Sequence, residues 1–176
     1  MPNFVSIPIH YTINNPDNVD LSKTNINLLM GHKGLVDKGL NIFSEISTAS
    51  IYTKSQNPEP LRKIQVFAHF DTGASRTSID IGLAKYLNLL QTGVGRVKTA
   101  GGIQFFPNFV ADISLVNTAL KPFINLEIGS CDLSFDFKEN AINPSMDNFG
   151  LLIGRDMMSR WHVTWNGPTS SVIISD

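Results

Sequence analysis

An apolar run over residues 64–70 ends on Asp71 and is followed at once by Thr72-Gly73-Ala74-Ser75. The run is typical of a buried strand. Because glycine permits a tight turn, the backbone can bend around the acid. We expect the Thr72 and Ser75 hydroxyls and several N–H groups to reach the carboxylate oxygens. The stretch therefore predicts an acid held by packing at the end of a sheet.

A carboxylate in this setting suits peptide hydrolysis if a second carboxyl lies beside it. One carboxyl takes a proton from water while the other, protonated, donates to the carbonyl oxygen, and two carboxyls about 3 Å apart share one proton. The chain contains one Asp-Thr-Gly and no Asp-Ser-Gly. Two copies related by a two-fold axis can supply the pair, with the two Asp71 side chains meeting on the axis. For the triplet alone, the alternative is an ordinary turn after a strand.

The rest of the chain predicts an all-β fold, since most of its apolar segments are short and separated by turn residues. A helix is predicted within residues 78–90, where Asp80 favours the helix dipole, and a second one over 155–160. Residues 91–95 are predicted to be a break and 135–149 mostly loop. Ala100, Gly101 and Gly102 indicate a hairpin tip. Strands are predicted at residues 4–11, 40–48, 64–70, 97–99, 105–115, 120–128, 151–153, 161–165 and 171–174.

A second apolar segment, Leu151-Leu152-Ile153, leads into Gly154-Arg155-Asp156 about 80 residues after Asp71. With the acid loop, the glycine hairpin and this segment in that order, the chain resembles the retropepsin-like aspartic peptidases, the single-domain relatives of pepsin. The likeness to bacterial members is closer and covers about residues 40–176. It extends to Ile79-Asp80, Leu83-Ala84, Leu87 and Asn166-Gly167-Pro168.

The resemblance implies a closed barrel of the acid-protease type, with a flap hairpin and one or two short helices. It implies that Asp71 is the catalytic aspartate and that the Thr72 hydroxyl bonds across the two-fold axis. Gly73 and Ala74 would form the floor of the cleft beside the substrate backbone, with Ser75 completing this loop.

The resemblance also assigns the flap to Ala100, Gly101 and Gly102, and structural support to Gly154 and Arg155. In viral relatives the arginine pairs with an acid just after the Asp-Thr-Gly-Ala stretch, where this chain has Ser75. We therefore expect Arg155 to bond instead to Asp156, to a carbonyl group or to the partner copy.

Composition narrows the possible partners. The net charge of −1 gives no electrostatic footprint for nucleic acid or an anionic membrane. The single cysteine, Cys131, forbids an internal disulfide and is expected to be a packed thiol. No signal peptide or membrane-length apolar stretch is recognised, which predicts a cytoplasmic protein. The histidines show no metal-binding spacing, so we predict no metal and no cofactor.

Three side chains keep alternative interpretations. His69 lies two residues before Asp71, so a strand would direct both to one face, but a partly buried structural histidine is the favoured interpretation. Phe105 and Phe106, just after the hairpin tip, could line substrate pockets, and at least one of them is expected in the core.

The sequence thus predicts an N-terminal extension over residues 1–38, packed on or covering a peptidase domain over residues 39–176. The leading hypothesis is an aspartic endopeptidase, a homodimer in which two Asp71 carboxyls activate water to cleave a peptide or protein. The alternative is a catalytically silent dimeric module that binds peptides. A third possibility is a monomer in which Asp-Thr-Gly is only a turn.

Overall fold

The computed structural model describes residues 4–8, 39–51, 62–99, 102–145, 147–166 and 171–176. Ten strands and three short helices occur in these segments. The strands are β1 (Phe4–Pro8), β2 (Asn41–Thr48), β3 (Lys63–Phe70), β4 (Ser78–Asp80), β5 (Leu90–Thr99), β6 (Gly102–Leu115), β7 (Phe123–Cys131), β8 (Phe149–Ile153), β9 (His162–Asn166) and β10 (Ser171–Ser175). The helices are α1 (Ile81–Tyr86), α2 (Phe137–Ile142) and α3 (Arg155–Met158).

Six strands form a closed barrel in the order β2-β3-β8-β4-β7-β6, with β6 pairing back onto β2. Strand β5 pairs only with β6 and extends the sheet as a long hairpin arm. A separate three-stranded sheet has the order β1-β10-β9. The predicted all-β fold, with a closed barrel, a hairpin and few helices, is confirmed.

The barrel encloses one apolar core, because alternate residues of its strands point inward. The largest fully buried side chains are Leu40, Ile42, Ile46, Ile79, Leu83, Leu87, Ile113, Ile128, Leu151, Ile153 and Met157. Trp161 closes one side of this core, where its ring lies 5.2 Å from Phe123 and 6.2 Å from Phe70. Trp165, which lies farther along the chain on β9, is 49% exposed, so the two tryptophans have different environments.

Three local predictions differ from the structure. Residues 91–95 are strand rather than break, because Gly93 and Gly95 sit within β5 as it pairs with β6. The predicted helix over 78–90 is shortened by β4, whose Asp80 caps α1 by accepting from the Gly82 and Leu83 N–H groups. Helix α2 lies in the segment predicted to be mostly loop. Its cap, Asp136, accepts from the N–H groups of Lys138 and Glu139.

The N-terminal segment is described only over Phe4–Pro8. This strand pairs with β10 in an antiparallel register from Phe4↔Ser175 to Pro8↔Ser171. Pro8 therefore lies at the end of an edge strand, as the sequence predicts for a residue that cannot donate a backbone hydrogen bond. Residues 9–38 lie outside the described segments. Among the helices that are described, none has the length and apolar character needed to cross a bilayer.

Candidate active site

Asp71 lies where β3 leaves the barrel. Strands β3 and β8 run parallel, with Phe70 opposite Ile153, so the segments that follow them emerge at the same edge of the sheet. The Asp71 N–H donates to the Ile153 carbonyl at 3.0 Å, which adds one more hydrogen bond to the pairing of β3 with β8. The acid and the Gly154-Arg155-Asp156 segment are thereby brought side by side, although 83 positions separate Asp71 from Gly154 in sequence (154 − 71).

The Asp71 carboxylate is held by the turn that it begins. Its Oδ1 accepts from the Gly73 N–H at 2.7 Å and from the Ala74 N–H at 3.2 Å. A side chain at Gly73 would place its Cβ 3.0 Å from the same oxygen, so the close approach favours glycine. No described residue donates a hydrogen bond to Oδ2 of Asp71. One oxygen is therefore fixed by the backbone, and the other remains available to a ligand.

The two hydroxyls predicted to reach this carboxylate do not do so. Thr72 and Ser75 are both exposed, and neither side chain makes a hydrogen bond to a described residue. The donors to Oδ1 are instead the backbone N–H groups of Gly73 and Ala74. The prediction was correct for the N–H groups and wrong for the hydroxyls within a single copy.

Arg155 holds the outer side of the loop. Its Nη1 donates to the Thr72 carbonyl at 2.7 Å and to the Gly73 carbonyl at 3.0 Å. Its backbone N–H donates to the Ala74 carbonyl at 3.0 Å. The sequence left Asp156, a carbonyl group or the partner copy as possible partners of Arg155, and in the structure Arg155 bonds to carbonyl groups. Three successive peptide units of the acid loop are fixed by this one residue.

A second set of contacts anchors the end of the loop, and sequence reasoning missed it. Thr77 is fully buried, and its hydroxyl donates to Asp156 Oδ1 at 2.7 Å and accepts from the Gly154 N–H at 3.1 Å. The Thr77 N–H donates to both Asp156 oxygens at 2.9 and 3.0 Å. Asp156 also accepts from the Met157 N–H at 2.8 Å, as expected of an acid at a helix start. The only sequence signal for this anchor was that helix-start acid.

Gly154 is required by close packing. A Cβ at this position would lie 2.4 Å from the Arg76 carbonyl carbon and 2.7 Å from the Thr77 nitrogen. Both atoms belong to the backbone, which cannot move aside as a flexible side chain can. The segment after β8 therefore packs directly on the backbone that leaves the acid loop, and this contact sets the position of Arg155.

His69 has the structural environment that the sequence favoured. It is half-buried, its Nδ1 lies 3.1 Å from Asn41 Oδ1, and its ring stacks on Phe149 at 5.2 Å. Burial lowers the pKa of His69 below its ordinary value of 6.5, while the negative charge of Asp71 acts in the opposite direction. The histidine therefore supports the strand beneath the acid, and its burial favours the neutral form of the ring.

The β5–β6 hairpin begins one strand away from the acid loop. Asn108, at its base, donates to Glu127 Oε1 at 3.2 Å, and Arg76 donates to the same oxygen at 3.1 Å. Gly102 lies at the tip with φ of +113°, whereas Ala100 and Gly101 fall outside the described residues. Phe105 is 68% exposed and Phe106 is intermediate, so neither belongs to the core and the preference for a core position was wrong.

The described residues contain no cluster of three or more His, Cys, Asp or Glu side chains that could hold a metal ion. At this edge of the barrel, the structure places a carboxylate whose Oδ1 is fixed by two backbone N–H groups. Such a group can accept or donate a proton but needs a second acid or base to do both in one step.

Comparison with known proteins gives structural similarity at low sequence identity. No protein-family model matches the chain, and no curated protein sequence matches it. Among solved structures it is similar to the crystal structure of a retropepsin-like aspartic protease from Rickettsia conorii, at 15% identity and a TM-score of 0.42. That match covers 76% of this chain and 88% of the other. Because these values are low, we base the functional proposal on contacts within this chain.

Proposed function

We propose that this protein is an aspartic endopeptidase whose active site is assembled from two copies of the chain. The observation that carries the proposal is the Asp71 carboxylate, which has Oδ1 fixed by two N–H groups and Oδ2 free of bonds to the described residues. The surrounding loop is held by Arg155 and by the Thr77–Asp156 anchor. An acid that only formed a turn would not need this second layer of support.

The second carboxyl has to come from a second copy. Asp156 is the acid in the segment that lies beside the Asp71 loop, but its oxygens are engaged by Thr77 and by the Met157 N–H. Asp71 lies at the barrel edge, and its neighbours Thr72 and Gly73 are exposed. A two-fold axis through this edge would bring the two Asp71 side chains together and would place the free Thr72 hydroxyls next to the opposite loop.

A surface for self-association is also available. Among the described residues, strand β9 lies at one edge of the three-stranded sheet, and its apolar residues Val163 and Trp165 are 37% and 49% exposed. Unpaired backbone groups beside exposed apolar side chains favour pairing with another chain. Pairing of two copies through this edge would support the proposed dimer, in which the two Asp71 loops meet at the two-fold axis.

Catalysis in such a dimer follows from a shared proton. Two carboxyls in contact titrate as a pair, so one is ionised while the other is protonated. The ionised Asp71 removes a proton from water, and the protonated one donates to the carbonyl oxygen of the peptide. Water adds to the carbonyl carbon without a covalent intermediate on the protein. The Gly73 and Ala74 N–H groups keep the carboxylates oriented throughout.

Cleavage of a peptide library at pH values from 4 to 8 tests the proposal. We expect turnover that rises below neutral pH, is blocked by a statine-type transition-state analogue, and is lost in Asp71→Asn. Asp132→Asn is the matched control, because Asp132 is exposed and lies outside the loop. Equal turnover by Asp71→Asn and the control would refute the proposal. Binding without turnover by the unmodified chain would favour the silent peptide-binding module.

A further inference from the structure

One face of the β5–β6 hairpin is uncovered and carries both apolar and positively charged side chains. Residues opposite each other in an antiparallel pair share a face, and the pairs here are Val94↔Pro107, Arg96↔Phe105 and Lys98↔Ile103. We call these six residues the hairpin face. Three of its apolar members are open to solvent, with Val94 62%, Ile103 51% and Phe105 68% exposed. Arg96 and Lys98 are exposed as well.

The hairpin face continues the inner surface of the barrel. Along β6, Phe109, Ala111 and Ile113 point into the core, and successive odd-numbered residues of a strand share one side. Ile103 and Phe105 therefore stand on the side of β6 that is buried farther along. Beyond the barrel this inner side has nothing packed on it among the described residues. A face of this kind is suited to covering a ligand that lies against the barrel edge.

The base of the hairpin is connected to the acid loop through β7. The Ser130 hydroxyl donates to the Pro107 carbonyl at 2.7 Å, and the Gly129 N–H donates to the Thr77 carbonyl at 2.9 Å. Glu127 accepts from Arg76 on one side and from Asn108 on the other. A ligand that contacts the hairpin face next to this base is therefore near the loop that holds Asp71.

The charges of the hairpin face indicate what it covers. Arg96 and Lys98 form no ion pair with any described residue, whereas Arg76, Lys63 and Lys121 each have an acidic partner. Packing this face on its own copy would bring like charges together, so a second copy is a poor occupant. An acidic occupant would pair both cations while its apolar side chains cover Ile103 and Phe105.

We propose that the hairpin face selects extended peptides that combine apolar side chains with acidic residues at positions i and i+2. Arg96 and Lys98 are two residues apart on one strand, a spacing of about 7 Å, and alternate side chains of an extended peptide have the same spacing. The inference rests on the proposed function, since it names the substrate class of the same site. It assigns specificity, and no catalytic role, to Arg96 and Lys98.

Two peptides test the assignment. They share one apolar sequence and differ only in carrying Glu-X-Glu or Gln-X-Gln. We expect the unmodified chain to cleave the Glu peptide with a kcat/KM about tenfold higher at low salt, a value appropriate to two exposed ion pairs. The preference should shrink as ionic strength rises, because exposed charges are screened. Equal kcat/KM values for two cleaved peptides would overturn the inference and leave the peptidase proposal standing.

Variants identify the residues responsible. Arg96→Glu/Lys98→Glu should reverse the preference toward a Lys-X-Lys peptide, while the charge-matched control Lys85→Glu/Lys138→Glu, on exposed helix positions, should keep it. Fluorescence anisotropy with Asp71→Asn measures binding without cleavage. If that variant prefers the Glu peptide but the unmodified chain cleaves neither, only the peptidase proposal fails. If it binds neither peptide, or binds both equally, the specificity inference is overturned.

Discussion

Replacing Thr77 by valine tests the anchor of the acid loop. Valine has nearly the same shape but lacks the hydroxyl, which is fully buried, donates to Asp156 and accepts from the Gly154 N–H. Loss of a hydrogen bond to a charged group costs about 1.5–3 kcal/mol, and a buried N–H left without an acceptor costs about 1–3 kcal/mol. Because Asp156 keeps its bonds from two backbone N–H groups, we expect a loss of about 3–5 kcal/mol in the free energy of unfolding.

Thr77→Ser is the matched control, since it keeps the hydroxyl and removes one buried methyl group. That change should cost about 1 kcal/mol. Urea unfolding of both variants at a single protein concentration gives the comparison, because association would otherwise shift the midpoint. If Thr77→Val and Thr77→Ser unfold within about 1 kcal/mol of each other, the hydroxyl does not anchor the loop and the reasoning is refuted.

Three further predictions concern His69, Cys131 and Gly154. Because the pKa of His69 is lowered, the unfolded chain binds more protons, so stability should fall as the pH drops through 6.5. In thermal unfolding scans between pH 5 and 7.5, His69→Gln should reduce this loss of stability at low pH. An unchanged dependence of stability on pH would contradict the effect of burial on His69. Burial and the charges of Asp80 and Asp132 raise the pKa of Cys131 from 9.0 to about 11, so its thiolate fraction should be about 100-fold lower and alkylation at pH 8 correspondingly slow. Rapid alkylation of the folded chain would argue against a packed thiol. Gly154→Ala should destabilise the fold by about 3 kcal/mol or more in urea unfolding, since its methyl group would overlap the Arg76 backbone, and wild-type stability would rule out that contact.

The parts of the fold that sequence predicted are those with strong local patterns. The strand before Asp71, the strand before Gly154 and the C-terminal hairpin are short apolar segments bounded by turn residues, and all three occur in the structure. Only residues 97–99 of strand β5 were predicted, because Gly93 and Gly95 read as a break, although an edge strand that pairs on one side tolerates glycine. Helix α2 was missed because its segment is polar and short.

In the candidate site, too, the sequence predicted the local contacts and missed those between distant residues. The position of Asp71 and the N–H groups around it follow from consecutive residues, so the sequence pattern was sufficient. The contacts of Thr77 with Asp156 join residues 79 positions apart, and the carbonyl groups bound by Arg155 have no sequence signature. Such contacts depend on the parallel pairing of β3 with β8, which single-sequence patterns do not specify.

The central claim is that each active site takes one Asp71 from each of two chains, and a mixing experiment tests it most directly. Unmodified chain and Asp71→Asn are unfolded together, refolded in different proportions at constant total concentration, and assayed for peptide cleavage. If both acids are needed and the copies pair at random, activity should follow the square of the unmodified fraction and fall to about a quarter at equal amounts. A linear decrease, with about half of the activity at equal amounts, would mean that each chain acts alone and would contradict the shared site.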